Sequence, residues 1–239
     1  MNDVNFSLWV YLSRSPLLWL SVTLSVYAIA DLISRRCGRH PLANPVLMSI
    51  LAMSAILKIT GTPYRTFFEG AQFIHFLLGP ATVALAFPLY EHRHAVREAI
   101  IPMSLALVVG SITALSSAVA IAASFGIPHE MLLSVAPKSV TAGVAMGITE
   151  KLGGDPTLTA VLVILTGMMG AIMATPLFNL LRIKDYRARG FALGVASHGI
   201  GTARAFQVDP VAGTFAGIAM GLNALLTSLV LPMLVRFFP

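Results

Sequence analysis

The chain carries apolar runs too long and too closely spaced for a soluble globule. They occupy Pro16–Ser34, Leu42–Ile59, Thr66–Tyr90, Ile100–Phe125, Met131–Ile148, Thr157–Leu181, Gly190–Gln207 and Val211–Phe238. A helix needs about 20 mostly apolar residues to cross a bilayer, and no polar stretch between these runs is long enough to fold alone. Charged residues make up 11% of the 239, against about 25% in a soluble domain. Too little polar surface remains to keep a globule in solution. Strand-like alternation is absent, and backbone groups inside a membrane must be satisfied within the segment. The expected fold is an all-α integral membrane protein, a single polytopic domain over residues 1–239 with about 7–8 hydrophobic segments.

The net charge of +6 is not a nucleic-acid signature. The basic residues sit in short loops between apolar runs, which is the positive-inside pattern. Arg35, Arg36 and Arg39 form one such loop, Arg93 and Arg97 a second, and Arg182, Lys184, Arg187 and Arg189 a third, with Arg236 near the C-terminus. The loops at Thr60–Thr66, Ile127–Glu130 and Asp209 are poor in basic charge. With the basic loops inside, Met131–Ile148 must enter and return on one side, or the Arg182–Arg189 loop falls outside. Pro137 and Lys138 lie near the middle of that segment, and a proline there weakens a continuous helix. The expectation is a re-entrant or broken segment. The first twenty residues lack a basic start and a small-residue cleavage site, and are expected to be retained rather than cleaved as a signal. Phe6–Ser13 is apolar but too short to span, and is left as an interfacial helix or the first arm of a hairpin.

A weak internal repeat accompanies this topology. Asn44-Pro45-Val46-Leu47 and Asp155-Pro156-Thr157-Leu158 open the second and sixth segments, and Gly79-Pro80 and Gly199–Gly201 interrupt the third and seventh. The paired segments would run in opposite directions, giving two inverted repeats at about residues 5–125 and 128–238 with discontinuous or re-entrant helices. Matched interruptions of this kind point to a midplane binding site in transporters.

Three motifs carry candidate chemistry. At Gly79-Pro80 a half-helix is expected to begin, presenting the N–H groups of Ala81 and Thr82, and helix N-termini attract anions. A simple kink is the plainer alternative. Around Pro137, Lys138 lies inside an apolar segment at a cost of about 2.5–3.5 kcal/mol, with Ser139 and Thr141 beside it. A lysine that snorkels to the headgroups is the alternative there. Gly194–Phe206 holds Ser197, His198, Thr202 and Arg204 among small residues, with Gly199 and Gly201 allowing unusual backbone angles. Arginine suits bidentate carboxylate recognition, whereas His198 could equally be a hydrogen-bonded packing residue. The acidic residues lie almost entirely in loops or at segment ends, so a cation path is disfavoured and a small anionic substrate, most simply a monocarboxylate, is favoured. The substrate-binding candidates are Asn44, Thr82, Lys138, Ser139, Thr141, Ser197, His198, Thr202 and Arg204, and the helix breaks are expected at Gly79, Pro80, Pro137, Gly199 and Gly201. Glu91-His92-Arg93-His94 reads as a solvated loop rather than a metal site. Cys37 is the only cysteine, so no disulfide or thiolate cage is available. No cofactor, metal or enzymatic activity is expected. Gly143-xxx-Gly147, Gly190-xxx-Gly194 and Gly213-xxx-Gly217-xxx-Gly221 allow close helix approach, within the chain or in a homo-oligomer.

Together the three motifs resemble the LrgB/CidB family of bacterial membrane proteins. The residues that carry the resemblance are Phe76–Ala86, Pro137-Lys138-Ser139-Val140-Thr141 and Ala196–Ala205, and it extends from about Pro16 to Leu234. One departure is Ala142-Gly143-Val144, where the family typically has Thr-Pro-Ile. The resemblance implies two descriptions. One is antiholin-like control of murein hydrolase activity and autolysis in the bacterial inner membrane, with a small LrgA/CidA-type membrane partner. The other is transport of small carboxylates, since plant plastid relatives carry glycolate and glycerate and bacterial members are linked to pyruvate.

Overall fold

A computed structural model describes residues 16–77, 80, 83–84 and 86–237. Every element among the described residues is helical, and four helices are long and apolar enough to cross a membrane. The expected interruption at Gly79 and the groups on Ala81 and Thr82 lie outside the described residues, as does Phe6–Ser13; Pro80 itself is helical. The chain divides into two compact units, Met1–Ala86 and Phe87–Pro239.

The first unit holds α1 (Pro16–Arg36), α2 (Pro45–Thr60) and α3 (Tyr64–Phe76). Trp19 of α1 is buried and meets Phe67 of α3 edge-on, with ring centroids 5.8 Å apart. At the far end of α1, Asp31 pairs with Arg35 at 2.7 Å and with Arg39 at 2.6 Å. Asn44 precedes Pro45, and its side-chain oxygen accepts from Val46 N and Leu47 N. Proline is suited to the first helical position because it lacks the N–H that would go unsatisfied there, and an Asx side chain completes the cap for about 1 kcal/mol.

The second unit continues through α4 (Ala86–Glu91) and α5 (Arg93–Glu98) into α6 (Ile100–Ser124), α7 (His129–Val135), α8 (Ala142–Leu152), α9 (Pro156–Leu180), α10 (Tyr186–Val208) and α11 (Pro210–Leu234). The Asx-Pro start recurs here. Asp155 caps α9 by accepting from Thr157 N and Leu158 N, and Asp209 caps α11 by accepting from Val211 N and Ala212 N.

The expected break at Pro137 is present: α7 ends at Val135 and α8 begins at Ala142. The packing makes this pair a hairpin. Leu132 of α7 and Ile148 of α8 share one cluster with Val119 of α6 and Leu231 of α11, so both arms start and finish beside the C-terminal ends of α6 and α11. The return is closed by polar contacts. Ser134 Oγ accepts from Asp155 N at 2.8 Å, Thr159 Oγ1 donates to Ser134 O at 3.0 Å, and Thr149 and Thr159 share a hydrogen bond at 2.9 Å.

The seventh segment departs from expectation. It was expected to cross, with its interruption at Gly199–Gly201. The break falls immediately before these glycines, at Ser197 (φ −135°, ψ 17°) and His198 (φ 41°, ψ −135°), while Gly199 and Gly201 are helical. The segment then doubles back. A Cβ on Gly190 or Gly194 would collide with the backbone of Ala212 or Ala216, so the first arm runs parallel to α11. Thr202 faces Met220 and Phe206 faces Gly213, so the second arm runs antiparallel to the same helix. Leu193 and Ala205, one from each arm, pack in one cluster with Ala212 and Ala216. Thus α10 is a second hairpin that enters and leaves at the N-terminal end of α11, opposite to the first. Asp209 consequently lies at the same end as the basic Arg182–Arg189 loop, and α11 carries Arg236 to the other end, the reverse of the charge-based placement.

Sidedness mapping checks both hairpins. In a Cys37→Ser background, Lys184→Cys and Val208→Cys are expected to react with an impermeant thiol reagent from one face of the membrane and Glu150→Cys from the other. Labelling of Val208→Cys from the Glu150→Cys face would make α10 a crossing helix.

Candidate functional site

The two hairpin tips meet at mid-depth of the second unit, on the side chain of Asn223. This residue sits near the centre of α11 and is 2% exposed. Its Nδ2 donates to Val195 O at 3.0 Å and to Ser139 O at 3.4 Å, one carbonyl from beside each tip. Its Oδ1 accepts from Ser111 Oγ of α6 at 2.6 Å and from Thr227 Oγ1 at 3.4 Å. Every hydrogen-bonding position of the amide faces is thereby directed into the protein, as a polar group at this depth requires. Asn223 thus supplies one donor to a carbonyl beside each break.

Val163 of α9 gives a second meeting point. It packs with Val140 and Ala145 of the first hairpin, and its carbonyl accepts from His198 Nε2 of the second at 2.8 Å. This fixes His198 as an anchor for its own tip, the packing alternative raised above. The left-handed φ at His198 is uncommon for a residue with a side chain. It is held by the Val163 bond and by Thr202 Oγ1, which donates to His198 O at 2.9 Å. Ser197 is buried against Gly170, where any Cβ would occupy the position of its Oγ.

Each tip is followed by a new helix whose N-terminus points to mid-depth, α8 from Ala142 and the second arm of α10 from Gly199. The leading N–H groups of a helix lack intrahelical partners and carry partial positive charge. Lys138 lies on the first tip, half-buried, with Nζ 3.5 Å from Ser139 Oγ, and Thr141 precedes α8 without a side-chain cap bond. A cation, hydroxyl groups and two helix N-termini therefore share one level.

Arg204 does not belong to this cluster. It is buried six residues beyond His198, about 9 Å along the helix. It lines a void of about 20 Å³ with Phe178, Tyr186, Arg189 and Leu193 at the base of the second hairpin, room for about one water. Lys138 and Arg204, both named among the substrate-binding candidates, thus lie at different depths. Asn44 is committed to capping α2, and Thr82 lies outside the described residues.

A larger cavity of about 460 Å³ separates the first half of α6 from the first arm of α10. Its mouth carries Glu98, Asp185 and Arg187, and its inner part is lined by Gly110, Ala114 and Ala196, next to Ser197. Arg187 bonds Asp185 at 3.0 Å, and that hydrogen bond holds the Asp185 carboxyl below the usual carboxylate range. Among the described residues, no cluster of metal-ligating side chains occurs.

The LrgB-like family model matches residues 23–237, which include both hairpins and α11. The chain belongs to the LrgB-like family. Among relatives, it is 37% identical to the uncharacterized protein YxaC of Bacillus subtilis (strain 168), over 83% of this chain and 86% of that one. It is 34% identical to the uncharacterized protein YwbG of the same organism, over 91% and 96%. It is 29% identical to the holin-like protein CidB of Staphylococcus aureus (strain N315), over 93% and 96%. No solved structure gives a significant match. Within this LrgB-like chain, the two family motifs around Lys138 and His198 are the two tips. Asn223, Ser111 and Val163 were not read from the sequence as site residues. The available signal was an amide at the centre of an apolar helix, which a search for charges passes over.

Close packing of the second hairpin on α11 depends on glycine. Gly194→Ala is expected to lower the melting temperature of the detergent-solubilised protein, because the Ala216 backbone cannot yield as a side chain would; overpacking of this kind costs about 1–3 kcal/mol. Gly143→Ala, whose Cβ would meet open space, is expected to leave it unchanged. Equal melting temperatures would remove the close contact.

Proposed function

We propose that this LrgB-like protein is a transporter or facilitator of small carboxylates in the bacterial inner membrane. The observation that carries the reading is the meeting of two oppositely directed hairpin tips at Asn223, with Lys138 and two helix N-termini at the same depth. Interrupted helices at the midplane are the usual way a transporter presents backbone groups to a substrate. A lysine with helix N-termini favours a carboxylate. Both re-entrant hairpins, His129–Leu152 and Tyr186–Val208, belong to the C-terminal half of the chain. Lys138, Ser139 and Thr141 are the proposed ligand groups of the first tip, and the backbone N–H groups after His198 those of the second. Ser197, His198 and Thr202 hold the second tip in shape. Arg204 acts on that hairpin's base rather than on the substrate.

A ligand that binds only the folded protein at 100 times its Kd stabilises it by about 2.7 kcal/mol. One member of a panel of glycolate, glycerate, pyruvate and lactate is expected to raise the melting temperature and to enter proteoliposomes. Lys138→Gln should abolish both effects while keeping the melting temperature of the ligand-free protein. Uptake of all four no greater than in protein-free vesicles, with no shift in melting temperature, would overturn the reading.

A second reading is favoured by the relatives named holin-like protein CidB. In that reading the chain works with an LrgA/CidA-type partner to regulate murein hydrolases and autolysis. The two separate by phenotype: if Lys138→Gln loses uptake and keeps normal autolysis, regulation does not depend on the carboxylate site.

A further inference from the structure

We propose that Asn223 is the latch of a two-hairpin gate, a positioning residue whose amide must release the tips before either hairpin can open. The inference rests on the proposed transport reading for its purpose, and on geometry for its substance. Asn223 contacts both tips at once, through Nδ2 to Ser139 O and to Val195 O. Val195 stands two residues before the break at Ser197, and Ser139 lies inside the break between α7 and α8. The carbonyls therefore belong to the two hairpins, one inside a break and one at the end of a helical arm. The amide itself is held by elements that do not turn back: it projects from α11, and its Oδ1 is oriented by Ser111 of α6 at 2.6 Å. With the oxygen fixed toward Ser111, the NH₂ group is aimed at the tips. An amide turned over would set Oδ1 against two carbonyl oxygens.

Two further contacts determine which hairpin moves. The first is tied to α9 by the Ser134, Thr149 and Thr159 bonds. The second has the 460 Å³ cavity along its first arm, so space for displacement lies on that side. Its tip is retained by the Asn223–Val195 bond and the His198–Val163 bond. Of these, only Asn223 also hydrogen-bonds the other hairpin, which Val163 touches through apolar packing. Release of the latch thus leaves the second tip on the His198–Val163 bond alone, with the cavity beside its first arm, while the first stays in place.

The substitution Asn223→Asp tests this with little change of volume. A carboxylate still accepts from Ser111 and offers nothing to Val195 O or Ser139 O. In a Cys37→Ser background, reporter cysteines are placed at Ala196 and Gly143, one exposed position at each tip, and at Lys184 as a reference in the basic loop. In native membranes without added carboxylate, Asn223→Asp is expected to raise the labelling rate of Ala196→Cys about tenfold, the effect of about one net hydrogen bond to a charge-neutral acceptor lost with repulsion added. Gly143→Cys should change less, and Lys184→Cys not at all. Ser111→Ala removes only the strut, and should raise the Ala196→Cys rate in the same direction by about two- to threefold. If Asn223→Asp fails to accumulate, Ser111→Ala alone decides. Unchanged labelling at Ala196→Cys in either folded variant would overturn the latch. So would an equal rise at Lys184→Cys, which marks general loosening. The readout needs no substrate. A failure of carboxylate binding with intact latch behaviour would count against the transport reading only, and the reverse against the latch only.

Discussion

A helix that stops halfway through a bilayer leaves its last carbonyls and its successor's first amides where no water reaches them. Such backbone persists only when protein buries it or a cavity hydrates it. Two hairpins of this chain create that problem at the same depth, and a single amide answers part of it for both. Asn223 donates to one carbonyl from each and is itself fixed by Ser111. Other features of the second unit follow from bringing the tips there. Glycines 190 and 194 let the first arm lie directly on α11, and Gly167 leaves room for the His198 ring, with a hypothetical Cβ only 2.7 Å from it. The polar contacts of Ser134, Thr149 and Thr159 tie the return of the first hairpin to the start of α9.

The first hairpin was legible in the sequence because two independent signals agreed. Pro137 weakened the helix, and crossing at Met131–Ile148 would have put four basic residues on the wrong face. The second hairpin gave neither signal. Tyr186–Val208 is 23 residues long, long enough to span, and its break is made by Ser197 and His198 rather than by the neighbouring glycines. Treating it as a crossing misplaces only Asp209 and Arg236, single charges that topology rules weigh lightly. The glycines that drew attention have other uses: Gly201 allows the two arms to touch, its hypothetical Cβ falling 2.8 Å from Leu193 O. Backbone conformation at His198 is set by tertiary bonds to Val163 and Thr202, and no local pattern encodes those.

The site itself was half legible. Lys138, Ser139, His198 and Thr202 were singled out by chemistry and do lie at or beside the tips. Arg204 was singled out by the same reasoning and belongs elsewhere, because a register of six residues on a hairpin arm carries it back toward the base. Arg204 stands about 9 Å along the helix from His198 on either path; the reversal of direction at His198 changes which end of the bundle it serves. Asn223 was missed because an amide adds little to a charge inventory, although in a low-dielectric interior an unpaired amide is costly and a fully paired one specifies geometry.

These contacts also bear on what the fold is for. A lesion-forming oligomer would place its polar groups on faces available to neighbouring copies. Here the buried polar side chains of the second unit are spent inward: Asn223, Ser111, Thr227, His198, Thr202, Thr149 and Thr159 all bond within the chain. They hold the two hairpins against three long helices. Polar specificity in a membrane interior is costly to maintain. Part of it, Asn223 with Ser111 and Thr227, is concentrated where two hairpins from opposite ends meet beside a lysine, and Thr149 and Thr159 close the base of the first hairpin.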